Sequence, residues 1–350
     1  MAERVVLHIG LMKSGTSFLQ RVLRQNRKGL RRQGILYPSP WRRQVDAVKD
    51  VTGGGLRGQP KLAADGPWRS LVAEVAEWPG TAVVSMEFLA PRGVAKARQI
   101  IADLAPAEVE VVVTVRDLAR SIPAMWQESV QNRSTWTWAE YVAGVEAEDR
   151  SRPGPGRAFW TRQDAPEIVE AWQKAAGPDQ VTVVTVPPPG APHDLLWQRF
   201  ASIVPVESEG LDLDVRSNPS LGLASLEVLR RLNLRVDAQT PPMSPRHYER
   251  IVKQLLAKRG LAGRDGDPRL GHQAAWVVEK GDRDLERLAA LGARVVGDLE
   301  ELRCAPVPGA QPEDLSVEDH LEAALDAVEY AVTQLARRTV KDRDRRNSAR

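Results

Sequence analysis

Short runs of β-branched and other apolar residues alternate with segments of helical periodicity along the first half of the chain. The apolar runs, each bounded by turn residues, predict buried strands at 5–9, 81–85, 109–115 and 181–186. Apolar positions spaced three and four residues apart predict helices at 16–27 and 92–104. Strands that alternate with helices favour a doubly wound α/β domain with a mainly parallel sheet.

The pattern becomes helical beyond about residue 220. Helical periodicity is found at 220–235, 245–259, 273–291 and 316–338, and one short strand is predicted at 294–298. We therefore expect one domain over 1–340, with an α/β core over about 1–215 and a helical part over about 216–340. The segment 38–67 is rich in Pro, Gly and polar residues and indicates an excursion or lid. The charge run at 341–350 is typical of a disordered tail.

The composition limits the classes of protein to which this chain can belong. With 350 residues, 42% of them hydrophobic, the chain can bury a large core, and its net charge of +3 does not favour a nucleic-acid partner. No apolar run approaches the ~20 residues needed to cross a bilayer, and no signal-peptide pattern precedes the first predicted strand. The single cysteine, Cys304, is typical of a reducing compartment. We expect a cytoplasmic protein from a GC-rich bacterial genome.

The most informative segment is the loop after the first predicted strand, GLMKSGTS at 10–17. Backbone N–H groups in such a loop, together with the N-terminus of the next helix, form a cradle for anions. A nucleotide kinase requires G-x-x-x-x-G-K-[ST], with a lysine directly after the second glycine. Gly10 and Gly15 keep that spacing, but Thr16 replaces the lysine, which lies inside the loop as Lys13. The sequence therefore predicts an anion site that departs from the kinase pattern.

The segment HIGLMKSGTSFLQ resembles the 5′-phosphosulfate-binding segment of sulfotransferases that use 3′-phosphoadenosine 5′-phosphosulfate (PAPS). The core of that segment is Lys-[Ser/Thr]-Gly-Thr-[Ser/Thr]. The resemblance implies a P-loop-type three-layer fold with added C-terminal helices, in which Lys13 contacts the oxygen that bridges phosphate and sulfuryl group. It implies that the phosphate is lined by Ser14, Gly15, Thr16 and Ser17. The likeness extends in order over about 5–235 and suggests a bacterial branch of the family.

The same family binds the donor's 3′-phosphate through an arginine at the end of a later strand. Arg116 follows the predicted strand at 109–115 and matches that position. The family pattern has a serine eight residues later, where this chain has Ala124, and Ser121 is the nearest hydroxyl that could replace it. The alternative is that Arg116 pairs with Asp117 or caps a helix.

A further candidate contact to the adenine and 3′-phosphate is the segment RSNPSLG at 216–222. The polar groups that it offers are those of Arg216, Asn218 and Ser220. The segment is equally compatible with a turn and cap before the helix predicted at 220–235.

Transfer of a sulfuryl group to a hydroxyl requires a general base close to the acceptor oxygen. Members of the family use a histidine beyond the second strand or, in many carbohydrate-acting relatives, a glutamate. Glu87 follows the predicted strand at 81–85 and no histidine occupies that stretch, so Glu87 is the candidate base. The alternative for Glu87 is an acid at a helix N-terminus. His8 lies inside the first predicted strand and is interpreted as a packed residue, although it is the next candidate for the base.

These observations make a PAPS-dependent sulfotransferase the leading hypothesis. Its acceptor is expected to be a hydroxyl of a carbohydrate or a small natural product, and no metal is expected. Two alternatives stay open: a P-loop nucleotide kinase or NTPase with a degenerate loop, and a nucleotide-binding protein without catalysis.

Overall fold

The computed structural model describes residues 2–38, 40–53, 65–215 and 220–348. The chain forms two compact units. The first consists of Met1–Ser121, Arg157–Arg216 and Ala275–Ala305, and the second of Ile122–Gly156, Ser217–Ala274 and Pro306–Arg350. The chain passes between these units several times. The single domain over 1–340, with its change of pattern near residue 216, stays a prediction.

The first unit contains a six-stranded parallel sheet. Its strands are β1 (Arg4–His8), β2 (Ile35–Leu36), β3 (Thr81–Ser85), β4 (Glu108–Val115), β5 (Val181–Thr185) and β6 (Arg294–Val296). Their order across the sheet is β2-β3-β1-β4-β5-β6, and every neighbouring pair is parallel. The predicted α/β class is therefore confirmed. The sequence did not predict β2, because a strand of two residues is too short to show an alternation.

The helices follow in chain order. They are α1 (Thr16–Gln25), α2 (Arg27–Arg32), α3 (Trp41–Val51), α4 (Pro67–Ala76), α5 (Val94–Asp103), α6 (Leu118–Gln131), α7 (Trp138–Glu146), α8 (Pro155–Gln163), α9 (Ala165–Ala176), α10 (Leu195–Ala201), α11 (Leu223–Asp237), α12 (Pro245–His247), α13 (Ala275–Ala290) and α14 (Val317–Ser348). A π-helical segment, Tyr248–Leu261, follows α12. The segment 38–67, predicted as an excursion or lid, contains α3 and the first residue of α4. Residues 54–64, between these helices, lie outside the described residues.

Side chains of alternate strand residues enter two different cores of the first unit. Leu7 and Val113 belong to a core that includes buried residues of α3, α4, α5, α9 and α13. Val6 and Val112 belong to a core that includes buried residues of α1, α2 and α10. Because successive side chains of a strand point to opposite faces, the sheet is covered on both sides, which gives three layers.

The second unit is helical in its described part. In it, the buried Asn233 side chain of α11 donates hydrogen bonds to the backbone oxygens of Val130 and Ser134, at 2.8 and 2.9 Å. The Tyr248 hydroxyl donates to the Asn233 Oδ1 atom at 2.6 Å. The backbone of α14 is helical from Val317 to Ser348. Within the described ranges, no helix combines the length and the apolar character that crossing a membrane requires.

Candidate nucleotide site

The topology of the sheet places the ends of β1 and β4 beside each other. The chain builds one side of the sheet after β1 and the other side from β4, so their junction is the switch point at which α/β proteins bind ligands. His8 is paired with Val112, and β4 therefore continues three residues beyond β1. The loop after β1 lies along this extension, since the Leu11 N–H donates to the Thr114 carbonyl at 3.0 Å.

Two glycines of the loop occupy positions where no side chain fits. A Cβ on Gly10 would lie 2.6 Å from both the Thr114 and Thr16 hydroxyl oxygens. Gly15 has φ +84°, and a Cβ there would overlap the Leu196 Cδ2 atom of α10. The two glycines that the sequence analysis selected by spacing are thus required by close approach and by backbone conformation.

The Ser14 side chain is directed into the protein. Its hydroxyl donates to the Leu11 carbonyl at 2.5 Å and lies 2.7 Å from the Thr114 Oγ1 atom. Ser14 is 1% exposed. Its side chain therefore connects the loop to β4, and its backbone N–H also donates to the Leu11 carbonyl, at 3.3 Å.

Two distant side chains fix carbonyl groups of the loop. Gln163, at the end of α8, donates from Nε2 to the Met12 carbonyl at 2.8 Å. Arg116, directly after β4, donates from Nη1 to the Lys13 carbonyl at 3.2 Å. The structure thus brings together Lys13 and Arg116, the two residues that the sequence analysis selected on separate segments.

The N-terminus of α1 has the features of an anion site. Its N-cap is Gly15, no side chain caps it and no acidic residue lies in its first turn. Thr16 is 3% exposed, and its Oγ1 atom has no hydrogen-bond partner within the described part of the chain. Ser17 is exposed. The first N–H groups of a helix and its dipole both favour a negative charge, and a buried hydroxyl without a partner adds a donor at the same place.

Arg116 is a half-buried cation, and the carboxylate beside it, that of Asp117, already has a partner. Asp117 forms an ion pair with Arg120 and accepts a hydrogen bond from the Arg120 N–H at 2.8 Å. The Arg116 Nε atom is buried and has no hydrogen-bond partner among the described residues. Burial, and secondarily Arg120, lower the pKa of Arg116 to about 10, against the smaller opposite effect of Asp117. The guanidinium therefore stays charged at neutral pH, and the ion pair described for Asp117 is the one with Arg120.

Ser121 lines the same cleft as Arg116. It lies in the first turns of α6, is 2% exposed, and its hydroxyl has no hydrogen-bond partner among the described residues. Gln163 and Asp284 also line this cleft. Asp284 is paired with the buried Lys280, and burial raises the pKa of its carboxyl. The cleft thus contains two unsatisfied donor atoms and two carboxylates, of which Asp117 is paired with Arg120 and Asp284 with Lys280.

Glu87 lies at the carboxyl end of β3, next to β1. It begins a single 3-10 turn and is half-buried. The Gln20 side chain of α1 donates from Nε2 to a Glu87 carboxylate oxygen at 3.2 Å and to the Ser85 carbonyl at 3.0 Å. The Trp41 indole donates to the Gln20 Oε1 atom at 3.2 Å. Gln20, which the sequence analysis did not select, therefore orients the candidate base.

His8 has the environment of a packed residue. It is fully buried, its Nδ1 atom lies 2.8 Å from the Ser85 hydroxyl, and its Nε2 atom lies 3.2 Å from the Thr114 hydroxyl. Burial lowers the pKa of His8 to about 3. A neutral ring with both nitrogens engaged is a poor general base, which agrees with the sequence interpretation of this residue.

The segment at 216–222, the candidate contact to the adenine and 3′-phosphate, is described only in part. Arg216 and Asn218 lie outside the described residues. Ser220 is exposed, and its carbonyl accepts a hydrogen bond from the Gly263 N–H at 3.2 Å. A ligand role for this segment stays a prediction.

No protein-family model matches this chain, and no curated protein sequence matches it. Among solved structures, a crystal structure of a sulfotransferase from Alicyclobacillus acidocaldarius aligns with it at a TM-score of 0.42 and 15% sequence identity. The alignment covers 70% of this chain and 98% of that chain. The interpretation of the site therefore depends on the contacts described above.

Proposed function

We propose that this protein is a sulfotransferase that takes its sulfuryl group from PAPS. The observation on which the proposal depends is the contact of Arg116 with the Lys13 carbonyl, because it joins two anion sites at one switch point. One site is the uncapped N-terminus of α1 with the Thr16 hydroxyl, and the other is the cleft of Arg116 and Ser121. PAPS is a nucleotide with separate anionic groups at its 5′ and 3′ positions, so it requires two such sites.

In this proposal, the loop residues Lys13, Gly15, Thr16 and Ser17 bind the 5′-phosphosulfate. Their N–H groups and the Lys13 ammonium stabilise the negative charge that develops on the leaving phosphate. Arg116 and Ser121 bind the 3′-phosphate with a guanidinium and a hydroxyl that have unsatisfied donors. Glu87, oriented by Gln20, accepts the proton of an acceptor hydroxyl. The donor supplies the activated sulfuryl group, and a carbohydrate or small natural product supplies the hydroxyl.

The kinase alternative has less support. A P-loop kinase needs its lysine where Thr16 stands, and it commonly holds magnesium through a carboxylate that follows a buried strand. Asp117 occupies that place after β4, but Arg120 is paired with it. Among the described residues, no group of three or more metal-ligating side chains comes together.

Calorimetric titration of four nucleotides tests the proposal: adenosine 3′,5′-bisphosphate, PAPS, ADP and ATP. Hydrogen bonds to charged groups contribute about 1.5–3 kcal/mol, so we expect the 3′-phosphorylated nucleotides to bind at least roughly tenfold more tightly than ADP. Ser121→Ala should reduce this preference while it leaves the affinity for ADP unchanged. Ser129→Ala, on the same helix, is the matched control. Equal affinities of the unmodified protein for ADP and the bisphosphate would remove the basis of the proposal.

A further inference from the structure

An exposed tryptophan is connected to the candidate base through one side chain. Trp41 begins α3 and is 41% exposed. Its indole N–H donates to the Gln20 Oε1 atom, and the Nε2 atom of the same amide donates to Glu87, each at 3.2 Å. Single exposed apolar residues are common on proteins, so exposure alone does not mark a site. The connection to Glu87 distinguishes Trp41, because it sets an open aromatic face beside the group proposed to take a proton.

Positive charge is concentrated in the same part of the chain. The whole chain is nearly balanced, with 49 lysines and arginines against 46 acidic residues. The stretch 14–45, in contrast, contains no acidic residue and eight basic ones: Arg21, Arg24, Arg27, Lys28, Arg31, Arg32, Arg42 and Arg43. This stretch supplies α1, α2 and the first turn of α3, so the imbalance belongs to one region of the first unit.

Part of this charge lies close to Glu87. Gln20, which donates to Glu87, and Arg24 are four residues apart on α1 and therefore lie on one face of the helix. The buried Tyr37, between β2 and α3, is affected by both charges. Burial raises the pKa of the Tyr37 hydroxyl, Arg24 lowers it and Glu87 raises it further. The guanidinium of Arg24 and the carboxylate of Glu87 thus act on one side chain.

Helix dipoles account for some of these arginines but not for all. Arg24 lies in the last turn of α1, where a cation is favourable. Arg42 and Arg43 lie in the first turn of α3, where a cation is unfavourable, and no acidic residue accompanies them there. All three are exposed, and the described part of the chain shows no ion pair for any of them. Asp212 approaches this end of α1, but it accepts a hydrogen bond from Gln25. A negatively charged ligand would explain cations at the unfavourable end of α3.

On the premise of the proposed function, we propose that the acceptor is an acidic carbohydrate, which binds to an acceptor surface formed by Trp41, Arg24, Arg42 and Arg43. A sugar ring packs on the indole, and its carboxylate or sulfate groups lie against the guanidinium groups. Glu87 takes the proton of a sugar hydroxyl. The oxygen of that hydroxyl bonds to sulfur, while the bond between sulfur and the bridging oxygen of PAPS breaks.

Calorimetric titration with pentagalacturonate and with its methyl ester tests the charge of the acceptor. The ester keeps the sugar rings and their hydroxyls but has no carboxylates, so we expect it to bind at least about tenfold more weakly. Arg24→Gln/Arg42→Gln/Arg43→Gln should weaken binding of pentagalacturonate at least about fivefold, since each exposed ion pair contributes modestly. Absent binding of pentagalacturonate, equal binding of acid and ester, or an unaffected triple variant would overturn the proposal.

The matched control removes three exposed arginines of the second unit, in Arg231→Gln/Arg235→Gln/Arg250→Gln, and should leave the affinity unchanged. An equal loss of affinity in the control would show a general effect of net charge and would count against the acceptor surface. A single-stranded oligonucleotide that binds more tightly than pentagalacturonate would assign the surface to nucleic acid instead.

The ring and the place of binding are tested separately. Trp41→Ala should weaken binding of both the acid and the ester, and Trp41→Phe, which keeps a ring, should restore most of the loss, with thermal unfolding to verify the fold. Saturating adenosine 3′,5′-bisphosphate should not displace pentagalacturonate, and displacement would assign the arginines to the donor site. These titrations require no donor. Binding at this surface without turnover of PAPS would therefore contradict the proposed function but not the carbohydrate site, whereas a Trp41→Ala variant with unchanged affinity would overturn the site itself.

Discussion

Lys13 combines an unusual backbone conformation with a position in the loop that is proposed to bind the 5′-phosphosulfate. Its φ is +66°, a region that residues with a side chain rarely adopt. Such conformations persist where the surroundings fix them, and the Lys13 carbonyl is fixed by Arg116 at 3.2 Å. The backbone thus holds this lysine in a defined place, which preorganised stabilisation of a developing charge requires.

The division of roles between Lys13 and Glu87 leads to a prediction on turnover. Lys13→Ala should lower the rate of sulfuryl transfer by about 10²–10³, the usual effect of losing one preorganised contact to a developing anion. Glu87→Gln should lower it by about 10²–10⁴ but leave the affinity for PAPS unchanged, since it removes only a base. The measurement is the release of adenosine 3′,5′-bisphosphate from PAPS with a panel of sugar and phenolic hydroxyls.

Two variants of exposed residues of the same types, Lys49→Ala and Glu77→Gln, control for this measurement and should keep full turnover. Near-normal turnover in Lys13→Ala would place the chemistry elsewhere. A Glu87→Gln variant that loses donor affinity along with turnover would contradict the assignment of Glu87 to the acceptor side.

Some of the residues that build the site could not be predicted from the sequence. Gln163 and Thr114 contact the loop from 151 and 100 residues away, and neither lies in a recognisable motif. Lys13 and Arg116 were predictable because a short glycine loop and a strand end carry local signals. The contact between them was not, since it depends on how far β4 continues beyond β1.

At the scale of elements, the loop at 10–17 joins β1 to α1 and packs closely against α10. Gly15 is the N-cap of α1, and a Cβ there would overlap Leu196 of α10. The strands on which this arrangement depends were predictable, because each is a compact apolar run with turn residues at its ends. The packing of α10 against the loop was not predictable, since the pattern of α10 reports only which of its faces is apolar.

Gly15→Ala should therefore destabilise the protein by more than its backbone strain alone. Overpacking costs about 1–3 kcal/mol, and a left-handed conformation adds about 1–2 kcal/mol for a residue with a side chain. Gly34→Ala is the matched control, because Gly34 has φ +78° with nothing within 4 Å of the added Cβ. Urea unfolding of both variants, and of Gly15→Ala/Leu196→Ala, separates the two costs. If Gly15→Ala costs no more than Gly34→Ala, the steric part of the argument is wrong.

His8 joins three strands and makes the stability of the sheet depend on pH. Its ring bridges β1 to Ser85 of β3 and Thr114 of β4, and burial lowers its pKa from 6.5 to about 3. Between these values the unfolded chain binds a proton that the folded chain does not bind, so stability falls as the pH drops below 6.5. The loss is about 1.4 kcal/mol per pH unit, or about 2 kcal/mol by about pH 5.

Urea unfolding of the unmodified protein and of His8→Gln at neutral pH and at about pH 5 measures this contribution. Glutamine keeps hydrogen-bonding groups at the position but does not titrate, so the variant should lose less stability on acidification. Parallel stability curves for the two proteins would show that His8 does not contribute to the acid side of the profile.

At the scale of the whole molecule, the residues to which the proposed function assigns the binding of PAPS all belong to the first unit. The loop at 10–17, Arg116 and Ser121 all lie in its segments.

Donor binding should accordingly stabilise the first unit selectively. A ligand at a hundred times its dissociation constant adds about 2.7 kcal/mol to the free energy of unfolding of the protein that binds it. With adenosine 3′,5′-bisphosphate at that excess, hydrogen exchange should slow most in peptides that cover 10–25 and 116–121. Peptides of α14 serve as the internal control and should change less, because no residue of α14 is proposed to bind PAPS.

Slower exchange at 216–222 would support the predicted contact of Arg216, Asn218 and Ser220 with the adenine and 3′-phosphate. ADP at the same multiple of its own dissociation constant should slow exchange at 10–25 to the same extent. It should not do so at 116–121, where the 3′-phosphate is proposed to bind. Protection at 116–121 that does not depend on the 3′-phosphate would contradict the assignment of Arg116 and Ser121.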